Sequence, residues 1–381
     1  MGMQSLDDLA NNLVKKFTGN KLAVGVDVGT KSIKVVALKK EKDKIILENY
    51  AIARTKDPLI KIGQTGVINE FTGDVIKETL SEANIKNKTV NVAIPSFTSL
   101  IITIEVASVS GKVSEEAIRR EVSKYIPVKI EDVVYDWQVI DEDKLQNNID
   151  QQIPQNNNGI GMGSTKDNKM VKILVIAIMK EISNKYEKVF SQSKLNINLL
   201  EIDSISLTRA LTHNKQGIYL ILDIGHETCN ILVASPQGVL MNRTIDVGGD
   251  KMTQVIADSM KIGFERAEQI KREQGVNVAG NGQAGGVLTT VLSIIIGEIK
   301  KTVELFEADF GGVKINKIIL SGGAAMMIGL KEFVQQQTNM EVMIGNALEG
   351  VAFVPEIKTS LLQNAPSLSI AIGLALANFE E

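Results

Sequence analysis

LAVGVDVGTKSIKVVAL at residues 22–38 and IYLILDIGHETCNILVA at residues 218–234 follow one chemical pattern. Superposed, they place Asp27 on Asp223, Gly29 on Gly225 and Ser32 on Thr228. Each reads as an apolar strand, an Asp-x-Gly turn and a second apolar strand, which is a tight β-hairpin. A hairpin of this kind leaves turn amides free, and its glycine lets backbone approach an anion closely, so successive N–H groups can cradle phosphate. The aspartate at the strand end can hold hydrated Mg²⁺ against that phosphate. Standing alone, one such turn reads as an ordinary polar-capped turn. Two at corresponding places in two halves imply hairpins facing each other across a cleft, with one nucleotide between them.

The remaining composition narrows the setting. A chain of 381 residues with 44% hydrophobic side chains has material for more than one core. A net charge of −3 gives no general affinity for nucleic acid. The lone Cys229 is expected to be a buried small hydrophobe, and one cysteine with two histidines excludes a disulfide framework or a zinc cluster. No apolar run is long enough for a bilayer and the N-terminus lacks a signal-peptide pattern, so a cytoplasmic protein with at most indirect membrane contact is expected. Residues 1–20 carry Leu6, Leu9, Leu13, Val14 and Phe17 at helical spacing, an amphipathic extension with as much acid as base on its polar face. Leu6 stands where a myristoylation motif at Gly2 needs Ser or Thr.

Between the hairpins the pattern predicts a helix over 72–83, strands over 89–94 and 99–106, and a helix over 114–125 capped by Ser114 and ended by Pro127. Strands follow over 133–140 and 170–179. Residues 141–169, between these strands, are rich in Asn, Gln and Gly; the Gly159-x-Gly161-x-Gly163 there has no strand before it and no helix after it, so it reads as part of a disordered hairpin insertion rather than a nucleotide loop. Beyond the second hairpin come helices over 252–260 and 264–272, a Gly/Asn loop over 275–286 and a long helix over 287–306. A strand over 315–320 then leads into Ser321-Gly322-Gly323 and a helix over 329–337, where a ligand ring or phosphate can lie against backbone.

Taken in order, GVDVGTKSIKVV, LILDIGHETCNILV and IILSGGAAMMIGL resemble the two phosphate motifs and the adenosine motif of the actin-like ATPase superfamily, which includes actin, DnaK-type chaperones, sugar kinases, FtsA and MreB. The resemblance runs from about residue 21 onward. Within it, VGGDKMT at 247–253, RAEQIKRE at 266–273, SEEAIRREVSKYIP at 114–127 with VVYDWQVI behind it, and AIGLALA at 371–377 are most similar to the type IV pilus assembly PilM family and its relative FtsA.

The resemblance implies an α/β actin-like fold, two RNase H-like halves around a nucleotide cleft, with an extra subdomain in the first half. The expected division is an extension 1–20, a first subdomain of 21–96 and 181–216, the insertion 97–180, a second subdomain of 217–245 and 297–381, and a smaller one of 246–296. It further implies ATP and Mg²⁺ as ligands, with Asp27 and Asp223 holding the metal through water. Gly29, Thr30, Lys31, Ser32, Gly225, His226 and Thr228 would surround the phosphates and Gly248 and Gly249 close over them. Glu268 and Lys271 would contact ribose and adenine, and Gly322 and Gly323 lie under the base. On residues alone, Glu268 and Lys271 read as an exposed helix pair. His226 stands where relatives carry a small residue and would crowd the γ-phosphate. Asp203 is the acid nearest the place of a water-activating group.

In function, the resemblance implies an ATP-binding component of a pilus or related secretion platform with at most slow ATPase activity. Its partner would be the N-terminal cytoplasmic tail of a PilN-like inner-membrane protein, lying in a groove among residues 92–104 and 125–137, and a homo-oligomer or ring is compatible with the family. The alternatives are an FtsA-like division tether, against which the acidic ending at 378–381 speaks, and a sugar or acetate kinase of the same fold, for which no catalytic aspartate with a substrate pocket is evident.

Overall fold

The computed structural model describes residues 22–60, 67–109, 112–142, 145, 169–276 and 283–380. The expected helical extension lies outside these residues, as does nearly all of the expected insertion at 141–169. The first half begins with β1 (Leu22–Val28), β2 (Ser32–Glu41) and β3 (Lys44–Arg54), then α1 (Thr72–Glu82) and β4 (Thr89–Ile94). The insertion follows: β5 (Ser99–Val109), β6 (Lys112–Val113), α2 (Glu115–Val122), β7 (Val133–Val139) and β8 (Lys169–Met179). The chain returns through α3 (Lys180–Gln192), β9 (Asn196–Ile202) and α4 (Asp203–Thr212).

The second half contains β10 (Tyr219–Ile224), β11 (Cys229–Ser235), β12 (Gly238–Ile245), α5 (Gly249–Met260), α6 (Phe264–Gln274), α7 (Gln283–Asp309) and β13 (Lys317–Ser321). After these come α8 (Leu330–Thr338), β14 (Val342–Ile344), β15 (Val351–Ala352), α9 (Lys358–Asn364) and α10 (Ser369–Leu376). The long helix starts at Gln283 and not at 287.

The two halves are built on one plan. The first sheet has the order β15-β3-β2-β1-β4-β9 and the second β12-β11-β10-β13-β14. In each, a three-stranded antiparallel meander is extended by parallel strands on the side of its first strand, β4 on β1 and β13 on β10. The first strands are buried at nearly every position because both sheet faces are covered, which is why their sequences are continuous apolar runs. Cys229 is fully buried in the second core, as its reading as a hydrophobe requires.

The inserted sheet, in the order β6-β5-β8-β7, is partly covered on each face by a different partner. Ile118 and Val122 of α2 pack on Ile104, Val106, Ile173 and Val175; Ser114 Oγ caps this helix by accepting from Ala117 N at 3.2 Å. On the other face, Leu174 and Ile176 join the core of the second half, Thr103 Oγ1 donates to Leu240 O at 3.1 Å, and Lys172 Nζ lies 4.8 Å from the Phe310 ring centre. β8 separates β5 from β7, so the stretches 92–104 and 125–137 come together only at the sheet end next to the first half. There Ser99 faces Ile178, Val133 faces Met179, and Lys180 Nζ donates to Glu131 O at 2.6 Å.

The last segment corrects the expected division. β15 pairs with β3, and α10 packs against β1, β2, β4 and α4, so these two elements join the first half, while Pro366 between them accepts from Ser321 Oγ and Gly322 N of the second at 3.1 Å each. Two glycines permit the contact: a Cβ at Gly25 would fall 2.0 Å from Ala371 O, and one at Gly373 would fall 1.9 Å from Ser206 O. α10 is apolar on every side, with Ile370, Ile372 and Leu374 buried, each contributing about 1.5–3 kcal/mol of transfer free energy. Among the described residues no helix is long and apolar enough to cross a membrane.

Candidate functional site

The two quoted hairpins close with the same bond. Gly29 N donates to Ser32 O and Gly225 N to Thr228 O, both at 2.9 Å. Their strands also share a register, Asp27 opposite Lys34 and Asp223 opposite Asn230. Both turns open on a single cavity of about 360 Å³ between the halves. Of the residues singled out in the sequence, Asp27, Gly29, Thr30, Ser32, Asp203, Asp223, Gly225, His226, Thr228, Gly249, Glu268, Lys271, Gly322 and Gly323 line it.

Lys31 and Gly248 do not. Lys31 reaches across the mouth to the second half, 2.5 Å from Asp250 and 3.7 Å from Glu227. Gly248 packs behind the second hairpin, where a Cβ would fall 2.5 Å from His226 O. From there the loop is fixed to that hairpin by Gly249 N to Gly225 O at 2.9 Å and Asp250 N to His226 O at 2.8 Å. His226 Nδ1 lies 3.4 Å from Asp250 Oδ1. Burial alone would raise the Asp250 carboxyl, but bonds from His226 and Lys31 outweigh it and pull its pKa down to about 2.

Three buried carboxylates share the cavity. Asp27 pairs with Lys34 Nζ at 2.8 Å. Burial pushes Asp223 up to about 6 against the attraction of Lys34, and pushes Asp203 up to about 7 against its bonds from Ser96. Asp203 is held on both oxygens: Ser96 N and Oγ donate to Oδ1, and Asn230 Nδ2 donates to Oδ2 at 3.3 Å. This group carries more negative charge than Lys34 balances, an arrangement that favours a cation. Among the described residues no three or more His, Cys, Asp or Glu side chains are grouped to hold a metal directly. Asp27 and Asp223 would suit a hydrated Mg²⁺, whose remaining oxygens would come from water and phosphate.

The other end of the cavity is apolar with a polar rim. Gly322 has φ +83°, and a Cβ there would fall 2.4 Å from Ile224 O; a Cβ at Gly323 would meet nothing within 4 Å and point into open space. Ala324, Met326 and Met327 complete this wall. Lys271 is buried at 8% exposure and not on an exposed helix face. Its Nζ donates to Gly249 O at 3.0 Å, to Thr253 Oγ1 at 2.8 Å, and meets Glu268 at 2.6 Å. Burial opposes ionisation of Glu268, yet bonds from Lys271, Thr253 and Arg272 hold its carboxyl below the usual range.

Lys34, Arg54 and Asn230 also line the cavity, and none was singled out in the sequence. Their signal is strand register: cross-strand partners share a face, so Lys34 and Asn230 must face the cleft once Asp27 and Asp223 do.

The model of the family described as type IV pilus assembly protein PilM matches residues 25–379. A solved PilM-PilN type IV pilus biogenesis complex contains a chain similar at TM-score 0.74 and 22% identity, covering 94% of this chain and 99% of that one. MreB 5 of Spiroplasma citri bound to AMPPNP is similar at TM-score 0.50 and 14% identity, covering 93% and 95%. Among curated relatives, the cell division protein FtsA of Helicobacter pylori J99 is 23% identical over 257 residues, 58% of this chain and 49% of its own length. The chain thus spans about half the length of the curated relative it matches. The fold is that of the actin-like ATPases, as the paired hairpins imply.

Proposed function

The chain belongs to the family of type IV pilus assembly protein PilM, and on that premise we propose that it is an ATP-binding component of a pilus or related assembly platform that holds the cytoplasmic tail of a PilN-like membrane protein. The observation that carries the nucleotide reading is the pair of superposable Asp-Gly hairpins opening on one cavity with an excess of buried carboxylate. In this reading Asp27 and Asp223 orient the water shell of Mg²⁺, which supplies charge neutralisation for the phosphates. Amides and hydroxyls of Thr30, Ser32, His226 and Thr228 bind the phosphates, Gly29 and Gly225 use their own amides to close the turns and leave room for a close approach, and Gly249 backs them. The Glu268–Lys271 pair takes the ribose, and Gly322 and Gly323 leave room for the base. The AMPPNP bound by MreB 5 of Spiroplasma citri supports the choice of an adenine nucleotide.

Asp203 has a pKa near that of an effective base, but its oxygens are already engaged by Ser96 and Asn230. This favours slow turnover and a nucleotide that sets conformation.

For the partner, residues 99–107 of β5 have no strand on the side away from β8 among the described residues, and an extended peptide can pair there. Tyr125 and Val128, at 50% and 40% exposure, lie in the second stretch of the expected groove and offer apolar contacts. The chain in the PilM-PilN complex supports a PilN-like partner. The test is to measure, side by side, binding of a synthetic PilN-like tail peptide and co-sedimentation with liposomes. Peptide binding that is largely insensitive to salt is expected, without autonomous lipid binding. Lipid binding with no peptide binding would favour an FtsA-like tether instead.

A further inference from the structure

Four cationic side chains line the cavity: Lys34, Arg54, Lys271 and Arg272. Three already have carboxylate partners. Lys34 pairs with Asp27 at 2.8 Å, and Lys271 and Arg272 pair with Glu268 at 2.6 and 2.7 Å. The Arg54 side chain has no hydrogen bond or ion pair with any described residue. Its guanidinium is therefore the lining cation whose donors are open.

Register fixes where it stands. Asp27 is opposite Lys34 across β1 and β2, and Lys34 is opposite Ile52 across β2 and β3. Ser32 is opposite Arg54 on the same face, two residues further along and so about 7 Å nearer the turn of the first hairpin. The backbone after Arg54 is fastened beneath that turn by Thr55 N to Lys31 O at 3.0 Å and Leu59 N to Thr30 O at 2.7 Å. Arg54 thus extends from a clamped strand end beside the Gly29–Ser32 turn.

The groups suited to a nucleoside, Glu268, Lys271, Gly323, Met326 and Met327, all belong to the second half. A phosphate chain that starts there and passes between the hairpins reaches the first half last. A triphosphate entering beside Asp27 and Asp223 brings more negative charge than Mg²⁺ and Lys34 together offset. A planar guanidinium, charged at every relevant pH and able to give two parallel N–H bonds, matches a phosphoryl group. We propose that Arg54 binds the terminal phosphoryl group of a nucleoside triphosphate and thereby lets the cleft distinguish tri- from diphosphate. This deepens the nucleotide reading above and rests on it.

Titration calorimetry of the full chain with Mg-ATP and Mg-ADP, at one salt concentration, tests the assignment. Arg54→Ala is expected to weaken Mg-ATP at least tenfold and Mg-ADP less than threefold, with Arg54→Lys between wild type and Arg54→Ala for Mg-ATP. The thermal midpoint without ligand is expected to stay unchanged in both variants, because the Arg54 side chain has no partner among the described residues. Equal weakening of the two nucleotides, or an unchanged Mg-ATP affinity, overturns the role of Arg54 while leaving the nucleotide site standing. Wild-type protein that binds neither nucleotide overturns both.

Discussion

Lys31 Nζ lies 2.5 Å from Asp250 Oδ2, although the two residues belong to opposite halves of the molecule. The pair links the turn of the first hairpin to the loop bonded behind the second. Its side chains are 28% and 22% exposed, so the contribution is that of a partly screened ion pair, about 0.5–1 kcal/mol. A double-mutant cycle with Lys31→Ala and Asp250→Ala in urea unfolding should return a coupling of about that size at low salt and much less at 1 M salt, where the screening length is about 3 Å. Since Asp250 is depressed to about 2 in the folded chain, its contribution is present above the ordinary carboxylate pKa and is lost as pH falls towards 2.

Removing either aspartate proposed to hold Mg²⁺, by Asp27→Ala or Asp223→Ala, should weaken Mg-ATP more than tenfold, about 1.4 kcal/mol or more. The two should differ without metal. Asp27→Ala frees Lys34 from its 2.8 Å partner and leaves its ammonium available to phosphate, so metal-free ATP should bind this variant at least as well as wild type. Calorimetry with and without EDTA checks the contrast.

Asp223 must ionise to help hold a cation, and burial has raised it to about 6. Mg-ATP affinity should therefore level off above pH 7 and fall as pH drops below 6, by up to tenfold per unit for one coupled proton. Proton release on binding at pH 6, measured in two buffers of different ionisation enthalpy, gives the same count. In Asp223→Asn this component should vanish.

The adjacent Gly322 and Gly323 should fail differently. Gly322→Ala meets Ile224 O and a φ of +83°, so it should lower folding stability by about 1–3 kcal/mol. Gly323→Val projects into open space; its thermal midpoint should remain within about 2 °C of wild type while nucleotide affinity is lost.

The hairpins were legible because their information is local: two continuous apolar strands, a glycine turn and an acid at a fixed offset within seventeen residues. The Ser114 cap and the strand over 89–94 were legible for the same reason. Lys34 and Arg54 were not, since their direction depends on how three strands register and no local pattern distinguishes a cleft-facing lysine from a solvent-facing one. Lys31 sits in the phosphate motif by spacing, yet a carboxylate on the other half draws it away from the cavity. The return of α10 to the first sheet escaped because a helix apolar on all sides has no preferred face to point to a partner.

Asp27 faces Lys34 in one hairpin, and at the equivalent rung Asp223 faces Asn230 in the other. A duplicated cradle with identical rungs would bind a phosphate chain equally well head-first or tail-first. With a cation on one side and a neutral amide on the other, the pseudo-twofold is broken at the point of closest contact, and the cleft acquires a polarity. An anion between the hairpins would meet a lysine on the first half and an amide on the second.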